Sequence, residues 1–128
     1  MSKRRSIEIE GFGHSNPIPS ASLVNGVLMS SIIGGRDPVT GKLPPTLEEQ
    51  LANLFLFAKR IVEAAGGTTE DIVKMNFWLR DPSKREVINT EWVKMFPNAE
   101  SRPARHTQPL TAGDALAQCD VIAVIGKG

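Results

Sequence analysis

Between Thr46 and Gly66 the apolar residues Leu47, Leu51, Leu54, Ala58, Ile61 and Ala65 recur at intervals of four and three. That spacing gathers them on one face of a helix and fits no strand. Thr46 and Glu49 have the spacing of a capping box, each able to satisfy an orphan amide of the first turn. Gly66-Gly67 ends the helix as a C-cap. The apolar face then needs a second layer against it.

Strands supply that layer. Residues 72–79 alternate, with Val73, Met75, Phe77 and Leu79 on one side and Ile72, Lys74, Asn76 and Trp78 on the other. Val27 to Ile33 reads as a buried strand and Leu116 to Ile125 as a final one, rich in Val, Ile and Ala. Ser6 to Glu10 alternates weakly, so the first ten residues are a partly flexible segment or an edge strand. Lys3-Arg4-Arg5 reads there as a solvated tail. Gly11 to Ser20 must be a loop, and Gly34 to Pro45 a turn-rich excursion around Asp37-Pro38-Val39-Thr40-Gly41. Ser83 and Glu86 are spaced as a second capping box. Val87, Ile88, Trp92, Val93 and Phe96 then suit an amphipathic helix ending at Pro97. The order β, β, α, β, α and one or two strands predicts an α+β fold, a mixed sheet with two helices on one face. Trp78, Ile72 and the strand at 27–33 leave the other face apolar, to be covered by a partner subunit.

With 128 residues, 41% of them apolar, and no repeat or linker, residues 1–128 form one domain. Fifteen basic and 14 acidic residues give no broad field for nucleic acid or an anionic membrane. No apolar run approaches the roughly 20 residues of a membrane span, and no secretory leader follows Met1. The single cysteine, Cys119, cannot form an internal disulfide, and the expected location is the cytoplasm. Only two histidines, His14 and His106, are present, with no metal-ligand spacing and no glycine-rich phosphate motif. No metal or cofactor is expected. Cys119 has only Asp120 beside it and reads as a buried hydrophobe, not a nucleophile.

The chemistry points to Arg102-Pro103-Ala104-Arg105-His106-Thr107, a polar segment framed by Pro97 and Pro103 and read as a loop. A guanidinium forks onto a carboxylate with two parallel hydrogen bonds and keeps its charge at any working pH. Taken alone, Arg105 is a surface charge more often than a substrate clamp.

The rest of the chain alters that weighting. In order along it come the strand ending in Ser30-Ser31, the turn at Asp37–Gly41 and the helix around Glu48-Glu49-Gln50. Glu63-Ala64-Ala65-Gly66, Asp71-Ile72-Val73-Lys74, Asn89 before an aromatic helix, and Arg102-Pro103-Ala104-Arg105 follow. This series resembles the reactive intermediate deaminase (Rid, or YjgF) family over residues 17 to 125. The resemblance implies a chorismate-mutase-like homotrimer with clefts between subunits. It also implies a cofactor-free activity, hydrolysis of enamines and imines of 2-amino acids to 2-keto acids and ammonia. Arg105 corresponds to the family's carboxylate-binding arginine, Ser31 to its pocket serine and Asn89 to a pocket asparagine.

Three positions depart from the family's pattern. Pro19 stands at the place of a pocket tyrosine, Thr107 at that of a common cysteine, and Gln118 at that of a last-strand glutamate. A register two residues along would put Asp120 there instead. Glutamine can hydrogen-bond a water but cannot take its proton. His106, His14 or water are the alternatives for moving that proton. Three functions follow: an imine deaminase anchored by Arg105; a trimeric binder of small carboxylates such as 2-keto acids; and a specialised deaminase of a larger unsaturated amino acid. Ribonuclease activity, ascribed to relatives, finds no basic, aromatic-lined face here.

Overall fold

The structure is a computed structural model that describes residues 3–126; the expected domain's residues 1, 2, 127 and 128 lie outside it. Seven strands form one sheet: β1 (Arg4–Ile7), β2 (Ala21–Val24), β3 (Val27–Ser30), β4 (Ile33–Gly34), β5 (Ile72–Leu79), β6 (Ala104–Pro109) and β7 (Ala117–Val124). Their order is β1-β2-β3-β7-β5-β6, with β4 beside β7 beyond the end of β3. All pairings are antiparallel except β5 with β6, so the sheet is mixed as expected. Helices α1 (Leu47–Ala64) and α2 (Ile88–Met95) pack together against it.

The core lies between the sheet and α1. Leu51, Leu54, Ala58 and Ile61 of the helix are buried, with Phe55, Phe57 and Val62 widening the face beyond the predicted stripe. Opposite them stand Leu28, Met75, Phe77, Leu79, Ala117, Cys119, Val121 and Ala123. Thr46 caps α1 by accepting from the Glu49 amide, but its hydroxyl donates to the Glu49 carboxylate at 2.7 Å, so the box is not the reciprocal one expected. Gly66, at φ 93°, closes the C-terminus: its amide bonds Glu63 O and that of Gly67 bonds Val62 O.

Several expectations are corrected. The strand expected at 27–33 is two strands, because Ser30 Oγ accepts from the Val121 amide and Ser31-Ile32 leave the ladder before β4 rejoins it. Its hairpin partner β2 was not expected, although Asn25-Gly26, both at positive φ, is the turn that such a hairpin favours. A bulge between Ile72 and Lys74 flips the start of β5, so Ile72 is buried and Val73 exposed. Asp81, not Ser83, caps the second helical segment, accepting from the Ser83 amide and hydroxyl. Of the segment 102–107 read as a loop, residues 104–107 belong to the edge strand β6. Arg4-Arg5, read as a solvated tail, begin β1, and Arg5 Nη2 donates to Ala64 O near the end of α1.

Candidate functional site

Register decides where each candidate side chain points. On β6, Arg105 and Thr107 lie opposite Met75 and Phe77, which face the helices. His106, opposite Asn76, therefore turns to the other face and is exposed, away from Arg105. Arg105 does not reach into solvent as a free surface charge. Its Nη1 donates to Asn89 Oδ1 at 2.8 Å, and its Cζ sits 5.0 Å from the centroid of the Trp92 ring. Asn89 and Trp92, three apart on α2, make a shelf beneath the guanidinium. Among the described residues no carboxylate lies within 4.0 Å of Arg105; the salt bridge formed is Lys94–Glu91. Burial, and next the charge of Arg85, hold the Arg105 pKa below its ordinary value. It remains a cation at neutral pH.

A second group assembles elsewhere. Ser31 Oγ donates to Pro19 O at 2.8 Å and its amide to Ser20 O, stitching the segment between β3 and β4 to the loop before β2. With its proton so engaged, the Ser31 hydroxyl is left as an acceptor. Gln118 faces the helix-free side of the sheet, opposite Trp78 on β5 and Gly34 on β4. It lines a hollow of about 420 Å³ with Phe12, His14, Ile32, Gly34 and Arg36. Among the described residues no carboxylate lines that hollow. Asp120, two residues along the same face, accepts from Asn76 Nδ2 at 2.8 Å.

His14 is fixed in a way that limits its use as a base. Its Nε2 lies 3.0 Å from Ile32 O, and a carbonyl only accepts, so the proton is on Nε2. Nδ1 is buried without a partner among the described residues. Cys119, opposite Phe77 in the core, is fully buried, and burial raises its pKa, which fits an inert thiol.

Within one chain the candidates thus fall in three places. Arg105, Asn89 and Thr107 share the helix side of the sheet edge. Pro19 and Ser31 form a stitched corner, and Gln118 lies on the opposite face of the sheet, two strands across from Arg105 and three residues along from its row. That face also exposes Val27, Met29 and Val124, which are 40%, 55% and 50% accessible. Sequence reasoning assigned Trp92 to the core alone. The i, i+3 spacing from Asn89 was the available signal that both reach the same neighbour.

The model of the family Endoribonuclease L-PSP matches residues 15–124, and the chain belongs to that family, the YjgF/RidA group. A RutC family protein of Aquifex aeolicus is 35% identical over 91 residues, covering 71% of this chain and 73% of the relative. RidA from an Antarctic Psychrobacter matches in structure with a TM-score of 0.85 at 27% identity, over 94% of this chain and 99% of that one. A Rid family protein, YyfA from Yersinia pestis, whose own function is described as unknown, matches at 0.86 and 25%, over 95% and 99%. The resemblance read from the sequence therefore holds for family and fold.

Proposed function

We propose that this chain hydrolyses 2-imino or 2-enamino acids to 2-keto acids and ammonia, with Arg105 anchoring the substrate carboxylate. The observation that carries this is the state of Arg105: held by Asn89, stacked on Trp92, and without a carboxylate partner among the described residues. Nη1 is engaged, while Nη2 and Nε have no protein acceptor among those residues, leaving one edge of the fork for a ligand.

The reaction adds water to the C=N carbon, moves a proton to nitrogen, and expels ammonia as the C=O forms. A protonated imine is already a strong electrophile, so positioning supplies much of what is needed. Ser31 accepts a hydrogen bond from the water or the amine, and Gln118 orients the water. These groups lie on a different face from Arg105, so the reading requires copies of the chain to meet, the edge of one against the open face of the next. The exposed Val27, Met29 and Val124 supply apolar area for that contact, in keeping with a homotrimer.

An imine generated in place by an amino acid oxidase is the test, with keto acid and ammonia followed in time. Wild type should accelerate their release, and Arg105→Ala should lose about tenfold to hundredfold. Equal rates for the two proteins would refute the reading. A second reading is a binder of 2-keto acids without turnover, favoured by the hollow at Gln118, whose lining among the described residues includes no carboxylate. There the keto acid binds in an Arg105-dependent way while hydrolysis stays at background.

A further inference from the structure

We infer that the anchor is double, and that the preferred substrate is a 2-imino acid carrying a second carboxylate, received by Arg85. This rests on the deaminase reading only for the word substrate; the anion preference applies equally to a binder. Arg85 lies in the helical turn Pro82–Val87 that leads directly into α2, one turn before Asn89. That turn packs against β6, the strand that carries Arg105. Asn89 holds the Arg105 guanidinium, and Arg85 stands four residues before Asn89 on the helical run that packs against β6, on the same side of the molecule. Burial first, and the charge of Arg85 second, hold the Arg105 pKa below its ordinary value, in keeping with that placement.

Two cations brought together without an acid between them repel, and a fold tolerates this where an anion is to be received. The acids nearby do not neutralise the pair. Glu91 is bridged to Lys94 at 3.4 Å, Asp81 is engaged by Ser83, and Glu86 follows Arg85 directly and so points to a different side of the helix. Among the described residues, neither Arg85 nor Arg105 has a carboxylate within 4.0 Å. Arg105, pinned by Asn89 and stacked on Trp92, suits the fixed 2-carboxylate of the substrate. Arg85 is exposed, and its unpinned side chain suits a second carboxylate at the end of a variable side chain.

The test compares 2-keto acids of equal carbon number with and without a terminal carboxylate, 2-oxoglutarate against 2-oxopentanoate and 2-oxoadipate against 2-oxohexanoate. Binding is read by calorimetry, and hydrolysis of the corresponding imines is read in parallel. Wild type should bind the dicarboxylates about tenfold tighter, the worth of one charged contact at a partly exposed site. Arg85→Gln should erase that preference while leaving the monocarboxylates unchanged, and Arg85→Lys should retain part of it. Arg105→Ala should weaken both classes. Equal affinity of wild type for both classes overturns the proposal, as does an Arg85→Gln loss that falls equally on both. Tighter Arg85-dependent binding of inorganic phosphate than of either dicarboxylate would also overturn it, assigning the second anion as phosphate. If dicarboxylate preference stands while no imine is hydrolysed, the deaminase reading fails and this one survives.

Discussion

The guanidinium of Arg105 lies 5.0 Å from the centre of the Trp92 ring, a residue whose other edge is buried against Phe77 and Phe96. The aromatic that completes the core beneath α2 therefore also fixes the charge above it. Stacking leaves the guanidinium in one plane, so that a carboxylate meets both donors of its fork together. Trp92→Leu keeps an apolar filler but removes the ring face. It should raise KM for imine hydrolysis about fivefold, the worth of roughly 1 kcal/mol of cation–π contact, with a smaller change in kcat. Trp92→Phe should restore most of it. An unchanged KM in Trp92→Leu would show that the ring only fills space.

The open face of the sheet carries the next expectation. Met29→Asp or Val124→Lys introduces charge where apolar side chains are now exposed, so the isolated chain should fold unchanged by circular dichroism. Sedimentation should show loss of assembly, and hydrolysis should fall with it, because Arg105 and Gln118 cannot meet within one chain. Retained activity in a demonstrated monomer would defeat the intersubunit site.

Gln50 is the buried polar side chain of α1. Its Nε2 donates to Pro44 O at 2.8 Å, and its Oε1 accepts from the Leu116 and Ala117 amides at 2.8 and 3.4 Å. It thus ties the loop entering α1 to the start of β7. Gln50→Leu leaves buried backbone groups unpaired, and urea unfolding should record a loss of about 2–4 kcal/mol. A loss below about 0.5 kcal/mol would mean that water replaces the amide.

Cys119 predicts a dependence on alkaline pH. Burial, and then the charge of Asp120, raise its pKa far above the ordinary 9.0. Above that ordinary value the unfolded chain releases the thiol proton while the folded chain keeps it. Stability is therefore fully present below about pH 9 and falls as pH rises, by about 1.4 kcal/mol per unit from this residue. Cys119→Ala should flatten that slope in denaturation measured between about pH 8.5 and 10.5. The thiol should also resist an aromatic disulfide reagent until the protein unfolds.

At Gly26 the backbone leaves no alternative residue. Its φ is 81°, and a Cβ there would sit 2.7 Å from Ile125 O. Gly26→Ala should cost about 1–3 kcal/mol and lower the melting temperature, since it loads the β2–β3 turn and the end of β7 together.

Periodicity reached far into this fold because helix and strand repeats are local properties. Leu51, Leu54, Ala58 and Ile61 had to share a helix face, and Met75, Phe77 and Leu79 a strand face, whatever surrounded them. Short or irregular pieces were less legible. The two residues of β4, the bulge beside Ile72 and the edge strand at Arg105 exist only because a neighbour supplies the other half of each hydrogen-bond ladder.

By itself, then, the sequence determined the layers and the family, and singled out Arg105 as the candidate anion anchor, because spacing and residue chemistry travel with the chain. Tertiary structure alone decided what Arg105 touches. Register turned it toward Asn89 and Trp92, sent His106 to the opposite face, bound the Ser31 proton to Pro19 and placed Gln118 across the sheet. The physical reason is the two-residue period of a strand. Neighbours in sequence point to opposite faces, and only pairing with β5 and β7 fixes which face is which.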